Sequence, residues 1–287
     1  MLIFAGRYGK TLGKSLTAWK KAREGEYTQS YFKNGERRIK ILTEVKGEEV
    51  WVVQDMAKNA DAALVELLLL IDAMKEMKAK KITAAVPFMA YSFQNRKFEG
   101  EPISARVIAR TLSASGADEI ILVDLHEKSI LAHFTIPVKN ISTTELFAEE
   151  IKKLELGKEV CVVAPDKGSA GRAERLSKLL GLPIVRVNKE RDRRTLEVGG
   201  LKIVEGKLKD TCLLIDDAVN SGRTVVEVSK WLRKKGAKKI VWLVTHFMSV
   251  EGSLEMILPT IDLLITTNSC EHGLKVSSKV KIIELTW

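Results

Sequence analysis

The sequence predicts an α/β protein built as two similar domains, each with a central, mainly parallel sheet flanked by helices. Three observations lead there. A helix that ends in Ala plus two charged residues, followed by Ile opening a strand, recurs at Ala79-Lys80-Lys81-Ile82, Ala117-Asp118-Glu119-Ile120 and Ala237-Lys238-Lys239-Ile240. Helix-then-strand repetition of this kind builds parallel α/β sheets. Cys212 to Ile215 is an unbroken apolar run ended by polar residues, as in a strand buried on both faces. A chain of 287 residues with a 45% apolar share is long enough for two cores of about 140 residues. The third copy of the repeat lies in the second half, which points to related halves at residues 1–140 and 141–287.

Taken in order, Met1 to Gly6 reads as a first strand and Lys14 to Arg23 as a basic, partly amphipathic helix. Tyr31 to Glu36 contains Asn34-Gly35, which favours a tight reversal between strands. Arg37–Leu42 and Glu49–Gln54 read as strands, Ala62–Lys78 as a long helix and Ile82–Pro87 as a buried strand. Phe88 to Ser104 is polar, basic and aromatic, with no periodicity for a core element. It follows a strand's carboxyl end, where ligands of parallel sheets gather. A helix from Ile103 to Leu112 and a strand at Ile120–Val123 lead to Asp124-Leu125-His126. Leu131 to Asn140 reads as a linker carrying Pro137.

In the second half, Thr144–Leu154 and Ala170–Leu180 read as helices, and Val160–Ala164 and Pro183–Val187 as strands. Gly116 and Gly236 stand where helices end. The burst Lys189–Arg194 reads, by composition alone, as a solvated hairpin. Ile261–Thr266 and Val280–Leu285 read as strands.

Composition bounds the function. The formal charge is +10, but Lys and Arg are spread along the chain with no aromatic-interleaved stripe, so a nucleic-acid partner is not expected. A basic surface attracting small phosphorylated molecules fits better. No apolar run reaches the ~18 residues that span a bilayer. Met1–Arg7 lacks a basic region ahead of an apolar one, so no secretory signal is expected. Three scattered cysteines make neither a disulfide framework nor a metal cluster, which points to a reducing, cytoplasmic setting.

The most informative stretch is Thr211 to Thr224, T-C-L-L-I-D-D-A-V-N-S-G-R-T. It reads as a buried strand, then the pair Asp216-Asp217, then a small-residue loop, then a helix. Small residues at a helix N-terminus present backbone N–H groups and the positive end of the helix dipole to a phosphate. Carboxylates beside it suit sugar hydroxyls or water around Mg²⁺. A ribose phosphate carries both kinds of group.

This stretch resembles the phosphoribosyl-diphosphate (PRPP) loop of the type I phosphoribosyltransferase fold, with Arg223 where many members have a small residue. From end to end the chain resembles ribose-phosphate diphosphokinases. The matching segments are F-K-N-G-E at Phe32–Glu36, Q-N-R-K-F at Gln94–Phe98, G-E-P-I-S-A-R at Gly100–Arg106, V-D-L-H ending at His126, F-T-I-P-V at Phe134–Val138, P-D-K-G at Pro165–Gly168 and K-E-R at Lys189–Arg191.

The resemblance implies transfer of diphosphate from Mg-ATP to the 1-hydroxyl of ribose 5-phosphate, giving PRPP and AMP. It implies Mg²⁺ as cofactor, held by His126 and Asp166. It implies ATP contacts from Phe32, Asn34, Gly35, Glu36, Gln94, Arg96 and Lys97, with Phe32 stacking on adenine. It assigns ribose 5-phosphate to Arg191, Asp216, Asp217, Asn220, Ser221, Gly222, Arg223 and Thr224. Lys189, Arg191 and His126 become the catalytic groups, the first two on a mobile loop over the phosphates. It implies a homo-oligomer, dimer or hexamer, with the nucleotide at a subunit boundary.

Residue by residue, plainer readings stand beside these: His126 as a core histidine, Asp166 as a helix cap. His133, His246 and His272 match no motif and read as structural. The departures from the family pattern fall on the nucleotide side. Asn34 and Asn95 replace aspartates, Phe93 replaces an arginine, and Thr135 and Lys139 replace acids. They leave open a non-catalytic or regulatory homologue that binds ribose phosphates.

Overall fold

The computed structural model describes residues 1–166, 168–191, 198–248 and 251–285; of residues 189–191 and 198–199 it describes the backbone alone. The chain divides into two units. The first holds Met1–Ile141 and also Asn268–Glu271 and Glu284 with Leu285; the second holds Ser142–Thr267 and His272–Ile283.

The first unit contains β1 (Leu2–Ala5), α1 (Lys10–Lys20), β2 (Arg23–Glu24), β3 (Tyr27–Tyr31), β4 (Arg37–Ile41), β5 (Glu49–Val53), α2 (Ala60–Glu76), β6 (Lys81–Val86), α3 (Ser104–Ala114), β7 (Glu119–Val123) and β8 (Val138–Ile141). Its sheet runs β2-β1-β5-β6-β7-β8, and every pairing is parallel. One face packs Leu2, Phe4, Val50, Val52, Ile82, Ala84, Ile120 and Leu122 against Leu67, Ile71 and Met74 of α2 and Ile108 and Leu112 of α3. The alternation is what a pleated strand requires.

The second unit contains α4 (Thr144–Lys152), β9 (Val160–Ala164), α5 (Ala170–Leu180), β10 (Ile184–Arg191), β11 (Val198–Glu205), β12 (Thr211–Val219), α6 (Arg223–Lys234), β13 (Lys239–Phe247), α7 (Ser253–Ile257), β14 (Leu263–Thr267) and β15 (Val280–Ile283). Its sheet runs β11-β10-β9-β12-β13-β14-β15. Only the edge strand β11 pairs antiparallel. Without that edge, both sheets read second strand, first strand, then the rest in chain order, so the related halves and the parallel α/β class are both present. Cys212 and Leu214 face the core under α6, while Leu213 and Ile215 face α4 and α5. That two-sided burial is why Cys212–Ile215 is uniformly apolar.

Several expectations need correction. The first helix spans Lys10–Lys20 rather than Lys14–Arg23, and Arg23 opens β2. The supposed linker Leu131–Asn140 is a tight turn at Lys128–His133 followed by β8, whose Val138–Ile141 pairs with Ile120–Val123. An edge strand of alternating V-K-N-I carries too little apolar signal to stand out. Phe88, Met89 and Ala90, read as outside the core, are buried. The strand of the phosphate loop does not stop before the acidic pair: β12 continues through Asp216 and Asp217 to Val219, in register with β13. The strand after Pro183 also outruns the sequence reading, to Arg191, because its outer half pairs with β11.

A buried acid sits at the carboxyl end of β5. Asp55 is 1% exposed; it accepts the Ala57 N–H at 2.9 Å and the Glu271 N–H at 3.3 Å. Burial, reinforced by the Glu271 charge, pushes its carboxyl up to about 7. The folded state therefore binds a proton that the unfolded chain has lost above its ordinary pKa, so stability falls as pH rises toward and through 7. A shift of this size corresponds to about 4 kcal/mol at high pH. The loss runs between about pH 4 and 7, so urea midpoints at pH 5.5 and 8.5 should show about half of it in the wild type and a much flatter profile in Asp55→Asn.

Candidate functional site

Parallel α/β sheets place ligands beyond the carboxyl ends of their strands; Gln94 to Lys97, His126, Asp166 and Asn220 to Thr224 fall there, whereas Phe32 to Glu36 sit on a separate antiparallel hairpin and Lys189 and Arg191 lie within β10. In the second unit β12 ends at Val219, and Asn220, Ser221 and Gly222 turn the chain into α6. Gly222 is the N-cap at φ 74°, and no described side chain caps the helix. A Cβ on Gly222 would lie 2.5 Å from Ile257 Cδ1, so the turn needs glycine for both conformation and space. Asn220, Ser221, Arg223 and Thr224 are all exposed around that helix start. The result is a small-residue cradle with helix N–H groups facing outward, suited to an anion.

The acidic pair lies just before the cradle. Asp217 is buried and Asp216 half-buried, and Asp216 Oδ1 accepts the Asp217 N–H at 2.9 Å. Burial, then Asp217 and Asp166, push the Asp216 carboxyl well above the usual range, while Arg172 pulls it back. Arg172, on α5, reaches Asp217 with Nη1 to Oδ1 at 3.5 Å. The sequence reading missed Arg172, because in R-A-E on an amphipathic helix it looks like a surface cation.

Asp166 follows β9. Its Oδ1 accepts the Ser169 N–H at 2.9 Å and the Ser169 hydroxyl at 3.0 Å. Asp166 is therefore not the cap of α5: Ser169 holds that position without a side-chain cap bond, and Asp166 instead closes the turn ahead of it, which fixes the carboxylate's orientation. Lys167 lies outside the described residues, as do the side chains of Lys189 and Arg191. The backbone of those two residues extends β10, pairing with Leu201 and Val198.

In the first unit, Asp124 at the end of β7 is buried with φ 39°. Its N–H donates to Ile141 O at 2.8 Å, and the Leu125 N–H donates to Asn140 Oδ1 at 3.0 Å. This held, left-handed corner sets His126, whose ring meets Phe93 edge-on at 4.8 Å between centroids. The position where the family pattern has arginine is therefore spent on packing the histidine.

Gln94 is tied to α3: its Oε1 accepts the Ser104 hydroxyl at 2.6 Å and its carbonyl accepts the Ala105 N–H at 3.2 Å. Arg96 and Lys97 are exposed. Phe32, Asn34, Gly35 and Glu36 form the exposed tip of the β3–β4 hairpin, closed by Phe32 N–H to Glu36 O and Gly35 N–H to Phe32 O, with Phe32 55% exposed. Gly35 and Glu36 also line a cleft of 720 Å³ with Arg7, Tyr8 and Asn59. His126 belongs to the first unit and Asp166 to the second. His272 is occupied structurally, with Nε2 3.2 Å from Thr267 O and Nδ1 accepting the Leu274 N–H.

Known proteins resemble this arrangement over nearly its whole length. Residues 1–116 match the family described as the N-terminal domain of ribose phosphate pyrophosphokinase. Residues 138–251 match the phosphoribosyl transferase domain. The ribose-phosphate pyrophosphokinase of Mycoplasma genitalium is 31% identical over 99% of this chain and 87% of its own length. That of Agrobacterium fabrum is 32% identical over 99% and 92%. The crystal structure of phosphoribosylpyrophosphate synthetase from Mycobacterium smegmatis matches with a TM-score of 0.89 at 30% identity, covering 99% of this chain and 94% of that one. A two-domain parallel fold, a small-residue helix start directly after an acidic pair, and this end-to-end likeness have one common explanation: the chain belongs to the ribose-phosphate pyrophosphokinase family.

Proposed function

We propose that the chain transfers diphosphate from ATP to the 1-hydroxyl of ribose 5-phosphate, yielding PRPP and AMP. The carrying observation is the α6 N-terminus, uncapped by any described side chain and set directly behind the strand-borne Asp216-Asp217 pair. In this reading the Ser221–Thr224 N–H groups and hydroxyls hold the 5-phosphate, with Asn220 and Arg223 at the rim. Asp216 and Asp217 accept the ribose hydroxyls, which fixes the ring and the direction of the 1-hydroxyl. That hydroxyl attacks the β-phosphorus of ATP in line and AMP leaves. No covalent enzyme intermediate is involved, so the chain's task is positioning and charge compensation. Lys189 and Arg191 supply fixed positive charge to the transferring group.

Phe32, Asn34, Gly35 and Glu36, together with Gln94, Arg96 and Lys97, take the nucleotide. The exposure of Phe32 at a hairpin tip suits completion of that site by a second copy of the chain, so the working form is a homo-oligomer. His126 and Asp166 are the residues that would hold Mg²⁺. Among the described residues, no group of three or more His, Cys, Asp or Glu converges on a metal position. When bound, Mg²⁺ supplies neutralisation of the diphosphate charge. No described helix is long and apolar enough to cross a membrane. All three cysteines are buried free thiols, which supports a cytoplasmic setting.

The test is incubation with ATP, ribose 5-phosphate and either Mg²⁺ or Mn²⁺, reading AMP and PRPP by anion-exchange chromatography. Equimolar AMP and PRPP are expected. ATP left intact under every metal condition would refute the reading.

A further inference from the structure

We propose that Arg172 is a positioning residue for the ribose-binding acidic pair, holding the Asp217 carboxylate aimed so that the pair can take up sugar hydroxyls. The inference rests on the sugar-phosphate reading of that loop and adds a residue to it. Arg172 lies in the first turn of α5. Its guanidinium is 3.5 Å from Asp217 Oδ1, with the two side chains only 15% and 7% exposed.

The topology explains why these residues meet. Strand β12 pairs with β9 from Thr211–Val160 to Leu214–Val163, and α5 follows directly from β9 through Pro165–Ser169. Leu213 and Ile215 of β12 pack in the same core as Ala173 and Leu176 of α5. The two-residue period of the strand then brings Asp217 to the side of α5, where it meets Arg172, the residue before Ala173. The helix that buries the strand's apolar face thus delivers a cation to its polar end.

The charge pattern makes that cation consequential. Asp217 and Asp166 both act on Asp216 at the ends of neighbouring strands, and Arg172 opposes them from α5. Removing one partner of a buried pair weakens the hold on the other's orientation. A misaimed Asp217 is a poorer acceptor for the sugar hydroxyls. Lysine keeps the charge but loses the planar fork that fixes geometry.

The experiment measures ribose 5-phosphate binding by calorimetry, ATP KM, and thermal unfolding in the wild type, Arg172→Lys, Arg172→Met and the double variant Arg172→Met/Asp217→Asn. Arg172→Met should weaken ribose 5-phosphate binding by about tenfold or more, with ATP KM within about twofold. Arg172→Lys should fall between it and the wild type. The double variant should lose little beyond Arg172→Met alone, because Arg172 acts through Asp217. A lowered unfolding temperature with unchanged sugar-phosphate affinity in Arg172→Lys or Arg172→Met would overturn the proposal and leave Arg172 purely structural. Equal losses for ATP and ribose 5-phosphate would also overturn it. Failure of the wild type itself to bind ribose 5-phosphate would instead refute the reading of the loop, so the two failures are separable.

Discussion

Lys189→Ala is expected to lower kcat by about a thousandfold while changing the KM for ribose 5-phosphate by less than about threefold. The expectation follows from where charge appears. As diphosphate passes from ATP to the sugar, negative charge builds on the transferring group, and a cation present only there acts on the transition state rather than on bound sugar. Lys189 lies on β10 beyond its pairing with β9, opposite Leu201 of β11. It is thus carried on a ribbon outside the body of the parallel sheet. A residue acting in the transition state alone lowers kcat and kcat/KM together. Single-turnover measurement of AMP release, paired with calorimetry for ribose 5-phosphate, separates the cases. Matching losses in sugar binding and turnover would show that Lys189 is a ground-state binding residue instead.

Glu66→Ala is expected to destabilise the first unit by about 3–5 kcal/mol, the cost of stranding a buried charge. Glu66 is fully buried at 0% exposure in the middle of α2. Its Oε2 takes Arg37 and, at 3.3 Å, the Gln54 amide. Its Oε1 takes the Arg7 N–H at 3.1 Å and the Tyr27 hydroxyl at 2.8 Å. Arg37, on β4, is itself only 8% exposed. Burial and the Glu66 carboxylate push the Tyr27 phenol up, so it stays a donor. Every partner donates, so Glu66→Gln would turn an amide N–H toward a donor and also cost stability, though less. Because Arg37 and Tyr27 lie in the β3–β4 hairpin, the same change should loosen the arm that carries Phe32. Urea midpoints read the stability. Glu66→Leu/Arg37→Met, which removes both charges together, should recover most of what Glu66→Ala loses. An unchanged midpoint in Glu66→Ala would show that the network contributes nothing.

Much of this was legible before any coordinates. Val160–Ala164 and Ala170–Leu180 match β9 and α5 residue for residue, because a continuous apolar run and a clean helical period are each sufficient alone. The order of strand, carboxylates, small-residue turn and helix from Thr211 to Lys234 was equally legible, since these follow one another in the chain. The start of α1 was not. Its N-cap is Gly9, with no side-chain cap of its own, and Thr11 N–H instead finds the Glu271 carboxylate at 2.7 Å, 260 residues away. No local signal announces a partner that distant. The edge strand β8 was missed for a similar reason: its identity comes from pairing with β7 rather than from its residues.

The sequence by itself determined the parallel α/β class, the two related halves and the chemical character of each loop. Those depend on periodicity and on neighbours along the chain. Only the tertiary structure decided that Asp216 and Asp217 belong to a strand, that Arg172 opposes them, that Phe93 packs on His126 and that Asn268–Glu271 belongs to the first unit. These are contacts between elements. Their strength comes from burial and from charges held a few ångströms apart, and neither distance nor desolvation is written in a local pattern.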